Sequence, residues 1–131
     1  MENAKYLDES SLGKYDNSDY VQQNDIIINS TGNGTLGRIG IMDNHNIYEK
    51  KVVVDSHVTL LRINSLIDFK YTYYFLKANQ KYLESKASGS TNQTELSPEI
   101  IKKLLIPVPN FLEQKRISSK IDILFNNIKH S

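Results

Sequence analysis

Residues 88–109 read SGSTNQTELSPEIIKKLLIPVP, and the rest of the chain is arranged around this stretch. Its first part, 88–94, is a polar run of hydroxyl and carboxamide side chains with one glycine and no charge. A helix start follows, because Ser97 is a favourable N-cap before a proline and Leu96 is placed to pack on Ile101. The pattern predicts a polar loop that is fixed at its C-terminal end and presents hydrogen-bonding groups to a partner.

Four short runs upstream of this stretch are rich in β-branched residues, which favour strands. They cover residues 25–29, 36–42, 51–54 and 57–63. Gly37 and Gly40 lie within the second run, where glycine is typical of a bulge or of a close approach to the backbone. Residues 1–24 are mostly polar and predict a loop with one short helix near residues 10–14.

The hydrophobic period changes to that of a helix after residue 68. Tyr71, Tyr74, Phe75 and Tyr82 fall on one face, so we expect one helix that is buried over much of its surface. The remaining face carries lysines, which is typical of a solvated helix surface. These lysines are Lys70, Lys77 and Lys81.

A last helix is predicted from Asn110, which is suited to the N-cap and has Glu113 three residues further on for a capping box. Four apolar residues then recur at spacings of 4, 3 and 4, namely Ile117, Ile121, Leu124 and Ile128. This is the spacing of a coiled-coil seam, which at this length is marginal in water without a partner helix. Together the elements predict an α+β fold, with a small, mostly antiparallel β-sheet, packed helices and a coiled-coil-like C-terminal helix.

The composition is that of a globular protein. With 131 residues, 39% hydrophobic and 24% charged, the chain has the size of one domain with a single core. The absence of cysteine excludes disulfides and thiolate metal sites, and the 3 histidines argue against any other metal site. No run approaches the ~18 apolar residues of a membrane span, and no signal peptide is recognisable, so a cytoplasmic protein without membrane contact is expected.

The central stretch resembles the end of a target-recognition domain in the specificity (S) subunits of type I DNA restriction-modification enzymes. The similarity lies in the polar loop with its helix start, in Ile106-Pro107-Val108-Pro109, and in Glu113-Gln114 followed by Ile117. Two upstream stretches fit the same family in the same order. They are DIIINSTGNGTLGRIG at 25–40 and DSHVTLLRI at 55–63.

This resemblance implies a division at residue 109. Residues 1–109 would form a DNA target-recognition domain, shortened at its N-terminus, and residues 110–131 the start of a dimerisation or spacer helix. The implied partners are double-stranded DNA, the modification (methyltransferase) subunits and, through them, the restriction subunits. Methylation and cleavage belong to those other subunits, and this sequence has no ATP-binding loop, methyl-donor motif or nuclease carboxylate cluster. We therefore expect a non-catalytic chain with no cofactor.

Candidate DNA contacts are polar residues in the glycine-rich hairpin, the strands and the polar loop. Asn92 and Gln93 carry the carboxamides that pair with adenine, and Arg38 and Arg62 carry the planar fork that fits phosphate or guanine. The candidates are Ser30, Thr31, Asn33, Thr35, Arg38, His57, Arg62, Ser88, Ser90, Thr91, Asn92, Gln93 and Thr94. The simpler alternatives are that the polar groups of the hairpin and the loop hydrogen-bond within their own segments, that His57 pairs with nearby backbone, and that the arginines pair with Asp or Glu.

Two further patterns do not support catalysis. Residues 32–37 match GxGxxG formally, but a dinucleotide site needs a helix after this motif and the residues that follow read as a strand. His57 is at the start of a predicted strand beside Asp55 and Ser56, and because adjacent positions on a strand point to opposite faces, the three side chains do not form a triad.

Two organisations remain open for the resemblance. A half-subunit would dimerise through the seam of Ile117, Ile121, Leu124 and Ile128 and read a palindromic split site, whereas a cut-down fragment would have little DNA affinity. An alternative of another class is a protein-interaction module that pairs with S or methyltransferase subunits without reading DNA. Salt-sensitive, sequence-dependent DNA binding separates these hypotheses. A ligand-binding enzyme domain ranks third, because no pocket chemistry can be assembled from these residues.

Overall fold

Three short strands are followed by helices in the computed structural model, which describes residues 9–32, 34–42, 51–89 and 94–129. The strands are β1 (Ile26–Asn29), β2 (Ile39–Ile41) and β3 (Val58–Leu61), and 3-10 helices at Glu9–Lys14 and Asn17–Asp19 precede them. The α-helices are α1 (Phe69–Ala78), α2 (Gln80–Lys86), α3 (Pro98–Lys102) and α4 (Phe111–Lys129). The α+β fold with a C-terminal helix is therefore confirmed, as is the short helix near residues 10–14.

The sheet is antiparallel, with the strand order β2-β1-β3. In the central strand, Ile27 lies opposite Gly40 on one side and Leu60 on the other. Because side chains alternate along a strand, Ile26 and Ile28 point to one face of the sheet and Ile27 to the other. Three consecutive isoleucines thus supply both faces of the sheet with buried side chains.

The helices cover the first face of the sheet. Both Ile26 and Ile28 are fully buried there, and Leu96 and Ile101 lie in the same apolar cluster, as the contact predicted between them requires. The other buried members are Ile39, Leu76 and Leu83. Ser97 caps α3 as predicted, since its side chain accepts a hydrogen bond from the Glu99 backbone N–H at 3.3 Å.

The second face is covered by two extended segments rather than by helices. Val21, Ile27, Met42 and Val52 form its buried cluster. Residues 51–54, which the sequence predicts as a strand, do not join the three-stranded sheet. They instead pair with the segment before β1, through a bridge between Tyr20 and Val53 and a 2.8 Å bond from the Val21 N–H to the Val52 carbonyl.

Two predicted elements are shorter than their sequence patterns. The strand predicted at 36–42 begins only at Ile39, because Leu36 and Gly37 lie in a turn. Gly37 has the left-handed φ of 82° that this turn requires. The single helix predicted from residue 68 is divided at Asn79 into α1 and α2. The Asn79 side chain there donates to the Phe75 carbonyl at 2.8 Å, as a C-cap does.

The start of α4 is held by its predicted N-cap. The side chain of Asn110 accepts a hydrogen bond from the Glu113 backbone N–H at 2.9 Å. The Glu113 carboxylate, which the predicted capping box would have turned back toward Asn110, accepts two hydrogen bonds from Arg116 at 2.7 and 2.8 Å. These bonds lower the pKa of Glu113.

The segment before α4 is fixed against α1. The Tyr71 hydroxyl donates to the Pro107 carbonyl at 2.6 Å. The carboxamide of Gln114, which is fully buried, accepts from the Asp68 N–H at 2.8 Å and donates to the Pro109 carbonyl at 2.9 Å. The segment 107–109 is therefore hydrogen-bonded at both ends, and it orients α4 on the rest of the domain.

Candidate nucleic-acid interface

Antiparallel pairing brings the end of β1 and the starts of β2 and β3 to one edge of the sheet. The Ser30 N–H donates to the His57 carbonyl at 2.8 Å, and the Asn29 N–H donates to the Arg38 carbonyl at 2.9 Å. Three candidate residues therefore lie at the same edge. Ser30 follows the end of β1, Arg38 precedes the start of β2, and His57 precedes the start of β3. We call this edge, with Thr31 and Thr35, the sheet-end surface.

Hydroxyl groups connect the sheet-end surface internally. The Ser30 hydroxyl lies 2.6 Å from that of Thr59, and the Thr31 hydroxyl lies 2.9 Å from Nδ1 of His57. Thr35 donates from its hydroxyl to the Thr31 carbonyl at 3.2 Å. Ser30 is buried, with 3% of its surface exposed, whereas His57 is exposed. The network therefore holds His57 in place and leaves its ring open to solvent.

The polar loop of the central stretch is joined to the same edge. Its two ends are clasped by paired backbone bonds between Ser88 and Glu95 at 2.9 and 3.1 Å. Glu95 also forms a bridge with Thr31, and the Leu96 N–H donates to the Ser30 carbonyl at 2.8 Å. The loop 88–94 therefore leaves from the sheet-end surface, with Ser88 exposed and Thr94 half-buried at its ends. Five candidates, Asn33, Ser90, Thr91, Asn92 and Gln93, lie outside the described residues.

The two strand arginines have different surroundings. Arg38 is exposed at the sheet-end surface, and it has no ion-pair partner among the residues that the structure describes. Arg62 follows β3 at the opposite end of that strand, where it pairs with the buried Asp25 through two bonds of 2.8 and 3.0 Å. The same guanidinium donates to the carbonyls of Ser18 and Tyr20 at 3.1 and 2.8 Å.

Hydrogen bonding to Asp25 raises the pKa of the Arg62 guanidinium further above its ordinary value, so this side chain remains charged. With four donors used inside the chain, the geometry favours the ion-pair alternative for Arg62. The described candidates other than Arg62 therefore lie on the sheet-end surface or at the ends of the loop that is joined to it.

The comparison with known proteins decides the family. A sequence profile described as "Type I restriction modification DNA specificity domain" matches residues 3–131. The chain belongs to this family. It is also 30% identical, over 112 aligned residues, to the type I restriction enzyme MjaVIII specificity subunit of Methanocaldococcus jannaschii. That alignment covers 82% of this chain and 23% of the relative, so the chain spans about a quarter of that subunit's length.

Membership confirms the resemblance and places this specificity domain in the non-catalytic part of such systems. No group of three metal-ligating side chains lies together in the described part of the chain. No helix among the same residues is both long enough and apolar enough to cross a bilayer.

Two residues of the specificity domain's surface were not singled out from the sequence. Thr59, whose hydroxyl is hydrogen-bonded to that of Ser30, lies between apolar neighbours on β3 and was not among the candidate DNA contacts. Glu95 joins the polar loop to Thr31 through backbone contacts only. Both depend on strand register across distant segments, and only a correct pairing of β1 with β3 would have identified Thr59.

The predicted seam of α4 is only partly covered by its own domain. Ile117 and Ile121 are half-buried, while Leu124 and Ile128 are 51% and 68% exposed. The contact of α4 with α1 instead uses the neighbouring face, where the rings of Phe125 and Tyr74 stack with centroids 6.0 Å apart. The specificity domain therefore presents an apolar strip on α4.

Proposed function

We propose that this specificity domain binds double-stranded DNA through the sheet-end surface and the attached loop 88–94. The observation that carries the proposal is the convergence of Thr31, Arg38, His57 and the clasped ends of the loop at one edge of the sheet. Hydroxyls and an exposed arginine suit phosphate contacts, and a polar loop held at both ends can enter a groove with little ordering cost.

Sequence choice within this surface is assigned to the loop. Carboxamides read adenine through paired hydrogen bonds in the major groove, and Asn92 and Gln93 are the carboxamides of the loop. Arg38 is assigned to contact a phosphate or a guanine. The buried Ser30, which is hydrogen-bonded to Thr59, is assigned to hold the sheet-end surface in place. Arg62 is assigned to the Asp25 ion pair instead of to DNA.

The proposed biological role is to direct a partner methyltransferase, and through it a restriction subunit, to the chosen DNA sequence in the cytoplasm. Its support is the family membership together with the apolar strip of α4, which suits a helical partner. Two copies joined through Ile117, Ile121, Leu124 and Ile128 would place two sheet-end surfaces in a symmetric pair and read a palindromic split site.

The experiment for DNA binding uses a random duplex library. Selection with the full chain, followed by titration of the enriched duplex at several salt concentrations, is expected to give sequence-dependent binding that weakens as salt rises. Arg38→Ala is expected to weaken it by about tenfold, in line with the loss of one good arginine contact. The control is Arg116→Ala, which removes an exposed arginine that is already paired with Glu113. Equal binding by the two variants would remove Arg38 from the interface.

The second candidate function is a protein-interaction module that pairs through α4 without reading DNA. The exposed side chains of Leu124 and Ile128 favour it. No enrichment of any duplex, together with retained binding to an S or methyltransferase subunit, would replace the first proposal with this one.

A further inference from the structure

A groove of about 480 Å³ lies between α1 and α4 and belongs to no part of the sheet-end surface. We call it the α1–α4 groove. Its cations are Lys70, Lys77 and Lys129, and its rings are Tyr73, Tyr74 and Phe125. Hydrogen bonds from the Asp68 N–H to Gln114 and from the Tyr71 hydroxyl to the Pro107 carbonyl hold the start of α4 against α1.

The charge of the α1–α4 groove is only partly balanced. Lys70 pairs with Asp122 of α4 at 2.8 Å, and the Asp122 carboxylate also accepts a hydrogen bond from the Tyr74 hydroxyl. Lys77 and Lys129 have no carboxylate partner within the described part of the chain. Three ammonium groups around one carboxylate leave the groove positive, which attracts an anionic occupant.

Three of the residues that line the groove are aromatic. Tyr74 contacts both Tyr73, with ring centroids 5.3 Å apart, and Phe125, on which it stacks. Phe125 nevertheless remains 52% exposed. The exposed part of this ring lies beside the ammonium groups, so the groove offers both apolar and electrostatic contacts.

We propose that the α1–α4 groove binds a short acidic segment of another protein, in which carboxylates flank an apolar side chain. The carboxylates complement Lys77 and Lys129, and the apolar side chain covers the rings of Tyr74 and Phe125. A DNA duplex fits this groove less well, because its convex phosphate surface supplies charge but no apolar group for the rings. The proposal concerns a different surface from the one proposed for DNA and does not depend on it.

The test is fluorescence anisotropy with a labelled peptide that has Asp and Glu residues around a central Phe-Leu pair. The full chain is expected to bind it with an affinity that falls as salt rises. It is expected not to bind a peptide of the same sequence in which Asn and Gln replace the acidic residues. The double variant Lys77→Glu/Lys129→Glu is expected to bind at least about tenfold more weakly, because each exchange turns attraction into repulsion. Phe125→Ala is also expected to weaken binding.

The matched control is Lys81→Glu/Lys120→Glu, which makes the same charge change on exposed positions of α2 and α4 that do not line the groove. This control should retain peptide binding. Equal binding by both double variants would overturn the proposal, as would equal affinity for the acidic and the amide peptide. If neither peptide binds and Lys77→Glu/Lys129→Glu loses affinity for duplex DNA, the groove is a DNA contact and the proposal is wrong.

Discussion

The side-chain oxygen of Gln114 accepts a hydrogen bond from the backbone N–H of Asp68 at 2.8 Å, which joins the first turn of α4 to the residue that caps α1. Asp68 is engaged from its side chain as well, because its carboxylate accepts from the Tyr71 N–H at 2.9 Å. Both Gln114 and Asp68 are buried. The orientation of α4 on the domain is thus fixed by a polar contact inside the fold.

Gln114→Leu should destabilise the domain by about 1–3 kcal/mol, because it leaves the buried Asp68 N–H and Pro109 carbonyl without their partner. Urea unfolding followed by circular dichroism measures this difference. The matched control is Leu112→Gln on the same helix, where the side chain is 79% exposed, and it should change stability by less than about 0.5 kcal/mol. Equal stability of the Gln114→Leu and wild-type proteins would refute the role assigned to this bond.

Arg62→Met should destabilise the domain by about 2–4 kcal/mol, because the buried Asp25 carboxylate then loses a two-bond partner. Its effect on DNA binding, measured on folded protein at low temperature, should be smaller than that of Arg38→Ala. Arg116→Met is the control, since it breaks an exposed pair with Glu113 and should cost less than about 1 kcal/mol. If Arg62→Met leaves stability unchanged but abolishes DNA binding, Arg62 belongs to the interface after all.

Tyr74 should titrate later than an ordinary tyrosine. Burial, together with the hydrogen bond to Asp122, raises its pKa to about 12. Because the folded pKa lies above the unfolded value of about 10, the stabilisation is complete below pH 10 and is lost as the pH rises toward 12. Ultraviolet titration of tyrosinate should show a late component in the wild-type protein that Tyr74→Phe removes. Loss of an early component instead would contradict the assigned surroundings of Tyr74.

Leu124→Glu/Ile128→Glu should prevent self-association or pairing with another S subunit through α4, while leaving the stability of the isolated domain unchanged. The reason is that these side chains are 51% and 68% exposed, so a carboxylate on each opposes burial against a partner helix. Sedimentation equilibrium measures the association. Ile123→Glu is the control, because Ile123 is also exposed and helical spacing places it away from the seam. Unchanged association of the double variant would exclude the seam as the contact.

The features predicted from sequence are those whose determinants lie within a few residues of each other. The caps at Ser97 and Asn110 depend on backbone groups two or three positions away, and both are confirmed. The buried strand at Ile26–Asn29 was recognisable from three consecutive isoleucines. Local composition and spacing were sufficient for these elements because little else determines them.

The features that were missed depend on pairing across the chain. Residues 51–54 have the composition of a strand, yet they pair with Tyr20 and Val21 instead of joining the sheet. The partner of Arg62 lies 37 positions away at Asp25. No spacing rule identifies such contacts, because they follow from the antiparallel register and from what covers each face of the sheet.

The most direct test of the central claim is to express this chain together with its modification subunits and to map methylated adenines across the host genome. If the chain recognises DNA sequence and pairs through α4, new methylation is expected at a two-fold symmetric, split sequence. That methylation should be lost with Leu124→Glu/Ile128→Glu and retained with Ile123→Glu. If the complex forms but no new methylation appears, the sheet-end surface does not select DNA sequence and the account is contradicted.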